Sequence, residues 1–107
     1  MKTSNGFEAT LVRDLPFNGV AEQKLWKVTP AVKYSHYDDD SNQTLVETSY
    51  VVTSATVAIF SGPETYIFPA NENSDILDWM ELSGSYRGGL DHDKAINGLA
   101  DSEVYEW

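Results

Sequence analysis

Residues Thr44-Leu-Val-Glu-Thr-Ser-Tyr-Val-Val-Thr-Ser-Ala-Thr-Val-Ala-Ile-Phe60 form the longest stretch of one character in the chain, dominated by Val, Thr, Ile and Tyr. Such side chains are stiff at χ1 and fit a pleated, half-buried surface better than a helix. The stretch therefore predicts a β-strand. Its seventeen residues exceed the usual range of about three to ten. That length predicts a bend or bulge near Thr53-Ser54-Ala55, or one strand shared between two curved sheets. Downstream, Ser61-Gly62-Pro63-Glu64 reads as a tight turn. Thr65–Phe68 then returns, forming a hairpin with Val57–Phe60 that Pro69 ends.

Upstream, Phe7–Val12 alternates loosely, and the Pro and Asn-Gly of Asp14–Gly19 mark a turn. Gln23–Thr29 and Ala31–Tyr37 alternate again, with Pro30 between them. Proline removes a ladder donor, so this region predicts an edge strand or two short strands. Asp38–Gln43 is a polar loop, and Ala70–Ser74 is another. Asp75–Leu82 fits neither a helical nor a strand period and is left as a short strand or a helical turn. Asp91 is a good N-cap for a short helix over His92–Ala100, with Ala95, Ile96 and Leu99 on one face. Glu103–Trp107 predicts a last edge strand. The fold class is mostly β (α+β): an antiparallel curved sheet, or a small barrel or sandwich, with one short C-terminal helix. A single domain is expected over residues 1–107. Val32, Tyr34, Val51, Val57, Ile59, Tyr66, Phe68 and Trp79 are the predicted core.

Composition narrows the functions. There are no cysteines, which removes disulfide scaffolds, thiolate zinc sites and cysteine catalysis. No apolar run approaches the roughly 18 residues that span a bilayer. The first residues, MKTSNGFEAT, lack the apolar run of a signal peptide. A soluble, cytoplasmic protein is expected. The net charge is −10. Residues 1–60 hold five basic and seven acidic groups, whereas residues 61–107 hold two basic and ten acidic. Such a C-terminal part repels phosphate, which argues against direct nucleic-acid binding, and it attracts a basic partner.

Reactive groups concentrate in Leu82-Ser-Gly-Ser-Tyr-Arg-Gly-Gly-Leu-Asp-His-Asp93. The segment holds no complete phosphate loop and no nucleophile elbow. Its glycines are expected to serve tight turns, with at least one of Gly84, Gly88 and Gly89 at positive φ. Arg87 is expected to pair with Asp91 or Asp93. His36 and His92 are the two histidines. His36 is expected to pack among tyrosines and His92 to face solvent. Asp38, Asp40 and Asn42 match the first three ligand positions of a calcium loop. Gln43 replaces the required glycine and Ser49 the required glutamate, so a solvated hairpin loop is expected.

From Tyr66-Ile-Phe-Pro-Ala70 through Asp78-Trp79, Glu81-Leu82, Gly84-Ser85-Tyr86-Arg87-Gly88-Gly89 and Asp91-His92 to Ala95, the chain resembles small uncharacterised proteins of actinobacterial tailed bacteriophages. The resemblance implies a phage origin and an accessory role inside an infected cell.

The leading expectation is a non-enzymatic protein that binds a host or phage protein, requires no cofactor or metal, and does not contact the membrane. Aromatic anchors supply affinity and charge supplies steering. Tyr86, Arg87, Asp91, Asp93, Asp101, Glu103, Tyr105, Glu106 and Trp107 are the candidate partner-binding residues, with the Asp38–Asn42 loop next in order. A sharper form of this reading is a nucleic-acid mimic. One alternative is a small metal-dependent or acid/base hydrolase, with His92 as general base, Asp91 or Asp93 orienting it and Arg87 stabilising an anion. Another is a minor structural protein of a virion.

Overall fold

The long β-branched run forms β3, Gln43–Ala58, and its neighbours fold onto it in sequence order. This computed structural model describes residues 1–16, 21–37, 39–40, 42–58 and 62–101. β1 spans Glu8–Asp14, β2 Ala21–Tyr37 and β4 Gly62–Ala70. The four strands make one antiparallel, curved, unclosed sheet in the order β1-β2-β3-β4. The one helix among the described residues is α1, His92–Asn97. The open sheet is the realised form among the three that the sequence allowed.

Pro30 lies inside β2, an inner strand paired on both sides, rather than on an edge or between two strands. The ladder explains how it is tolerated. β2 pairs with β3 from Ala21↔Thr56 to Lys27↔Tyr50, slips, and resumes from Val32↔Thr48 to Tyr37↔Gln43. Pro30 falls within the slip, where no ladder donor is needed from it toward β3. On the other side β1 pairing ends at Glu8↔Thr29, one residue short of the proline. The irregularity thus sits opposite Ser49. Pairing is regular through Thr53–Ala55, where a bend was expected. The β3–β4 hairpin is longer than its sequence signal, running from Ala58↔Gly62 to Tyr50↔Ala70 through Pro69. Ser61 and Ile59 lie outside the described residues.

One sheet face carries the main core. Trp26, Val28, Val32, Tyr34, Val51 and Ile67 pack with Phe7, Ala9 and Leu82, and α1 closes over them through Ala95, Ile96 and the following Leu99. Six residues are too few to hold a helix without such packing. The expected cap is present: Asp91 Oδ1 accepts the Lys94 N–H at 3.1 Å. At the other end, the Asn5 side chain donates to the carbonyls of Gly98 and Leu99, groups the helix itself leaves open. On the opposite sheet face Leu25, Val52 and Ala70 form a smaller cluster with Leu15, Tyr50 and Ile76.

Four expected core residues are placed differently. Val32, Tyr34 and Val51 are buried, but Val57 is exposed and Tyr66 and Phe68 are half-buried. Trp79 is 71% exposed. Its segment, Asp75–Leu82, forms neither strand nor helix. It leaves β4 by an Ile76↔Ala70 bridge and returns when the Leu82 N–H donates to Ile67 O at 2.7 Å. Both ends are thus fixed, whereas the middle is free to project its side chains.

Among the described residues, no helix is long and apolar enough to cross a membrane.

Candidate functional site

Strand alternation places Glu64, Tyr66 and Phe68 on the face of β4 opposite Ile67, which points into the main core. The chain after β4 then builds a wall beside them. The Asn71 side chain accepts the N–H groups of Asn73 and Asp75, closing the first turn. Arg13 of β1 donates to Glu72 O and Ser74 Oγ, tying that turn to the sheet. Leu77 N–H donates to Pro69 O at 2.8 Å. Asp78 accepts the Met80 N–H on one oxygen and pairs with His36 Nδ1 at 3.0 Å on the other. These restraints set the Trp79 ring 5.4 Å from Phe68, edge to face. Phe68 in turn lies 6.0 Å from Tyr66.

Tyr66, Phe68, Trp79 and Glu81 line a pocket of about 320 Å³. Leu77 and Met80, both exposed, flank Trp79 in sequence. Arg87 reaches the region because Tyr86 pairs with Thr65 through both backbone hydrogen bonds, which fixes the next residue beside β4. Its guanidinium sits 5.5 Å from the Tyr66 ring centre. It forms ion pairs with Glu81 and, at 3.5 Å, with the buried Glu64. These replace the Asp91 and Asp93 pairs that the spacing suggested. Asp91 is occupied as the helix cap, and Asp93 is exposed in the first helical turn.

The remaining candidates are spread out. Tyr86 is half-buried against the main core, with the Lys94 ammonium 5.2 Å from its ring. Asp101 accepts the Lys33 N–H of β2 at 2.9 Å. Glu103, Tyr105, Glu106 and Trp107 lie outside the described residues, as does Asp38 of the second candidate loop. The sequence reading thus picked Arg87 and missed Glu64, Tyr66, Phe68, Leu77, Trp79, Met80 and Glu81. A usable signal existed: five apolar residues in Asp75–Leu82 with no period to bury them.

Both histidines depart from expectation. His36 is paired with Asp78 at the surface rather than packed among tyrosines. Asp78 also acts on Tyr34, whose hydroxyl titrates above its usual value, mainly through burial and secondly through this carboxylate. His92 is buried, not solvent-facing. Its Nδ1 lies 2.7 Å from Thr53 Oγ1, which accepts the Trp26 indole N–H at 2.9 Å. Glu22 Oε1 stands 3.4 Å from Nε2 but outside hydrogen-bond geometry. Burial pushes the imidazole below its usual value, against the pull of Glu22. The order hydroxyl, imidazole, carboxylate is that of a nucleophilic triad. Here, however, the hydroxyl is fully buried and accepts the indole N–H, so the arrangement joins β2, β3 and α1.

Among the described residues no group of three or more His, Asp or Glu side chains is gathered as for a metal ion. No protein-family model, curated protein or solved structure matches the chain.

Proposed function

We propose that the protein is a non-enzymatic binding module that docks a basic protein partner on the groove of Tyr66, Phe68, Trp79 and Glu81 and on the adjoining Leu77 and Met80. The observation that carries this reading is the exposure of Trp79, 71%, on a loop restrained at both ends. Tryptophan is the side chain with most to gain from burial, and it is enriched among the residues that dominate interfaces. Here it is propped by Phe68 rather than sunk into the core, beside two more exposed apolar residues. The net charge of −10 supports a basic partner. The resemblance of the C-terminal sequence to phage proteins extends the proposal to an accessory role in the cytoplasm of an infected cell.

The test is capture from a host lysate with tagged protein, at low and high salt, in parallel with Trp79→Ala. Trp79→Ala should lose the captured protein while keeping its melting temperature. Capture undiminished in Trp79→Ala would reject the groove as the docking surface.

A further inference from the structure

We propose that the groove is a cage for one alkylammonium group, the side chain of a lysine, plain or methylated, on the docked partner. This deepens the docking reading and rests on it. Three aromatic rings line one concavity, and they are not parallel: Tyr66 and Phe68 are inclined by 33°, Phe68 and Trp79 by 63°. Rings tilted in this way surround a guest from several directions, and aromatic faces attract cations through their quadrupole. The groove, about 320 Å³, has room for one partner side chain.

Glu81 supplies the fourth wall and the sign of the charge. Its Oε1 is taken by Arg87, while its Oε2 is shielded from solvent and accepts no hydrogen bond. A shielded, unpartnered carboxylate oxygen is costly, and a positive charge in the adjoining groove would offset it. The carboxylate also distinguishes between cations. A guanidinium gains most from bidentate contact with both carboxylate oxygens, and Arg87 already occupies one of them. An ammonium acts as a point charge and needs no such fork. Tyr66 carries the Arg87 guanidinium on one face, 5.5 Å from its ring centre, so this ring already takes part in a cation–π contact. Arg87 itself is not a wall of the pocket.

The test uses three small probes: the acetyl amide of trimethyllysine, its neutral tert-butyl isostere and phosphocholine. The readout is the Trp79 indole N–H resonance, assigned with Trp79→Phe. The trimethyllysine amide should shift it saturably, with a Kd on the order of 1 mM. The neutral isostere should bind about tenfold more weakly, since it fills the same space without charge. Glu81→Gln should weaken the cation and leave the isostere unchanged. Equal binding of cation and isostere, or no shift with either, overturns the cage. Tighter binding of phosphocholine overturns the assignment to lysine. If Trp79→Ala abolishes partner capture while the cation fails to bind, the docking surface stands and the cage falls. Saturable cation binding with capture unaffected by Trp79→Ala overturns the assignment to a docked partner.

Discussion

His92 Nδ1 and Thr53 Oγ1 meet at 2.7 Å in the buried interior and join the helix start to the central strand β3. In the neutral tautomer that carries its proton on Nε2, the Thr53 hydroxyl donates to Nδ1 while accepting the Trp26 indole N–H, which uses both Thr53 functions. Protonating Nδ1 would force Thr53 to give up its donor role. Burial lowers the His92 pKa, so the folded state takes the proton less readily than the unfolded chain. The His92 contribution is then fully present above the ordinary histidine value of about 6.5 and declines as the pH falls below it. Urea unfolding at pH 8 and pH 5.5 should show lower stability in acid, with a smaller difference in His92→Gln. An equal pH dependence in both proteins would show that His92 is not the responsible group.

Gly84 and Gly89 should respond oppositely to alanine. Gly84 has φ of +109°, and a Cβ there would lie 2.2 Å from the Gly98 carbonyl oxygen. The backbone of the helix end cannot yield as a side chain can, so Gly84→Ala should cost more than about 2 kcal/mol. At Gly89 the nearest atom is a Tyr86 ring carbon at 3.6 Å, ordinary contact distance. Gly89→Ala should change stability by less than about 1 kcal/mol. Thermal unfolding of the two variants compares them directly.

Trp79→Ala should cost less than about 1 kcal/mol, in contrast to the 3–5 kcal/mol typical of a buried tryptophan. Its edge-to-face contact with Phe68 is the main interaction to be lost. A larger loss by denaturant titration would show that the ring supports the fold.

Glu64 is buried with Arg87 as its ionic partner. Removing Arg87 strands that carboxylate, so Arg87→Met should destabilise by about 1–3 kcal/mol. Arg87→Met with Glu64→Gln should recover part of the loss, because the neutral amide is cheaper to bury. A double-mutant cycle measures the coupling. Additive effects would refute the pairing.

The parts of the fold legible in the sequence are those written locally. The β-branched run became β3, and Asp91 capped the helix whose Ala95, Ile96 and Leu99 are buried. Gly62, Pro63 and Glu64, expected in a tight turn, lie instead within β4, paired with Ala58, Val57 and Thr56. Pro30 misled because its cost depends on ladder register, which the opposing strand sets. Trp79 misled because hydrophobicity was read as burial, although a period-free segment offers no face to bury it on. The polar pairs were invisible for a different reason. Thr53–His92 and His36–Asp78 are separated by 39 and 42 positions and exist only once the sheet has formed. The site went unseen because Tyr66 and Phe68 sit on β4 whereas Trp79 and Glu81 sit on the segment after it, and only the fold brings the four together. The acidic C-terminal residues drew attention by charge alone.

Hydroxyl-radical footprinting of the protein, free and with its captured partner, tests the docking surface most directly. Trp79 and Met80 oxidise readily and are exposed in the free protein. Binding on the groove should suppress oxidation of both, together with Tyr66 and Phe68. Undiminished oxidation of Trp79 and Met80 in the complex, with protection confined to residues 101–107, would contradict the account.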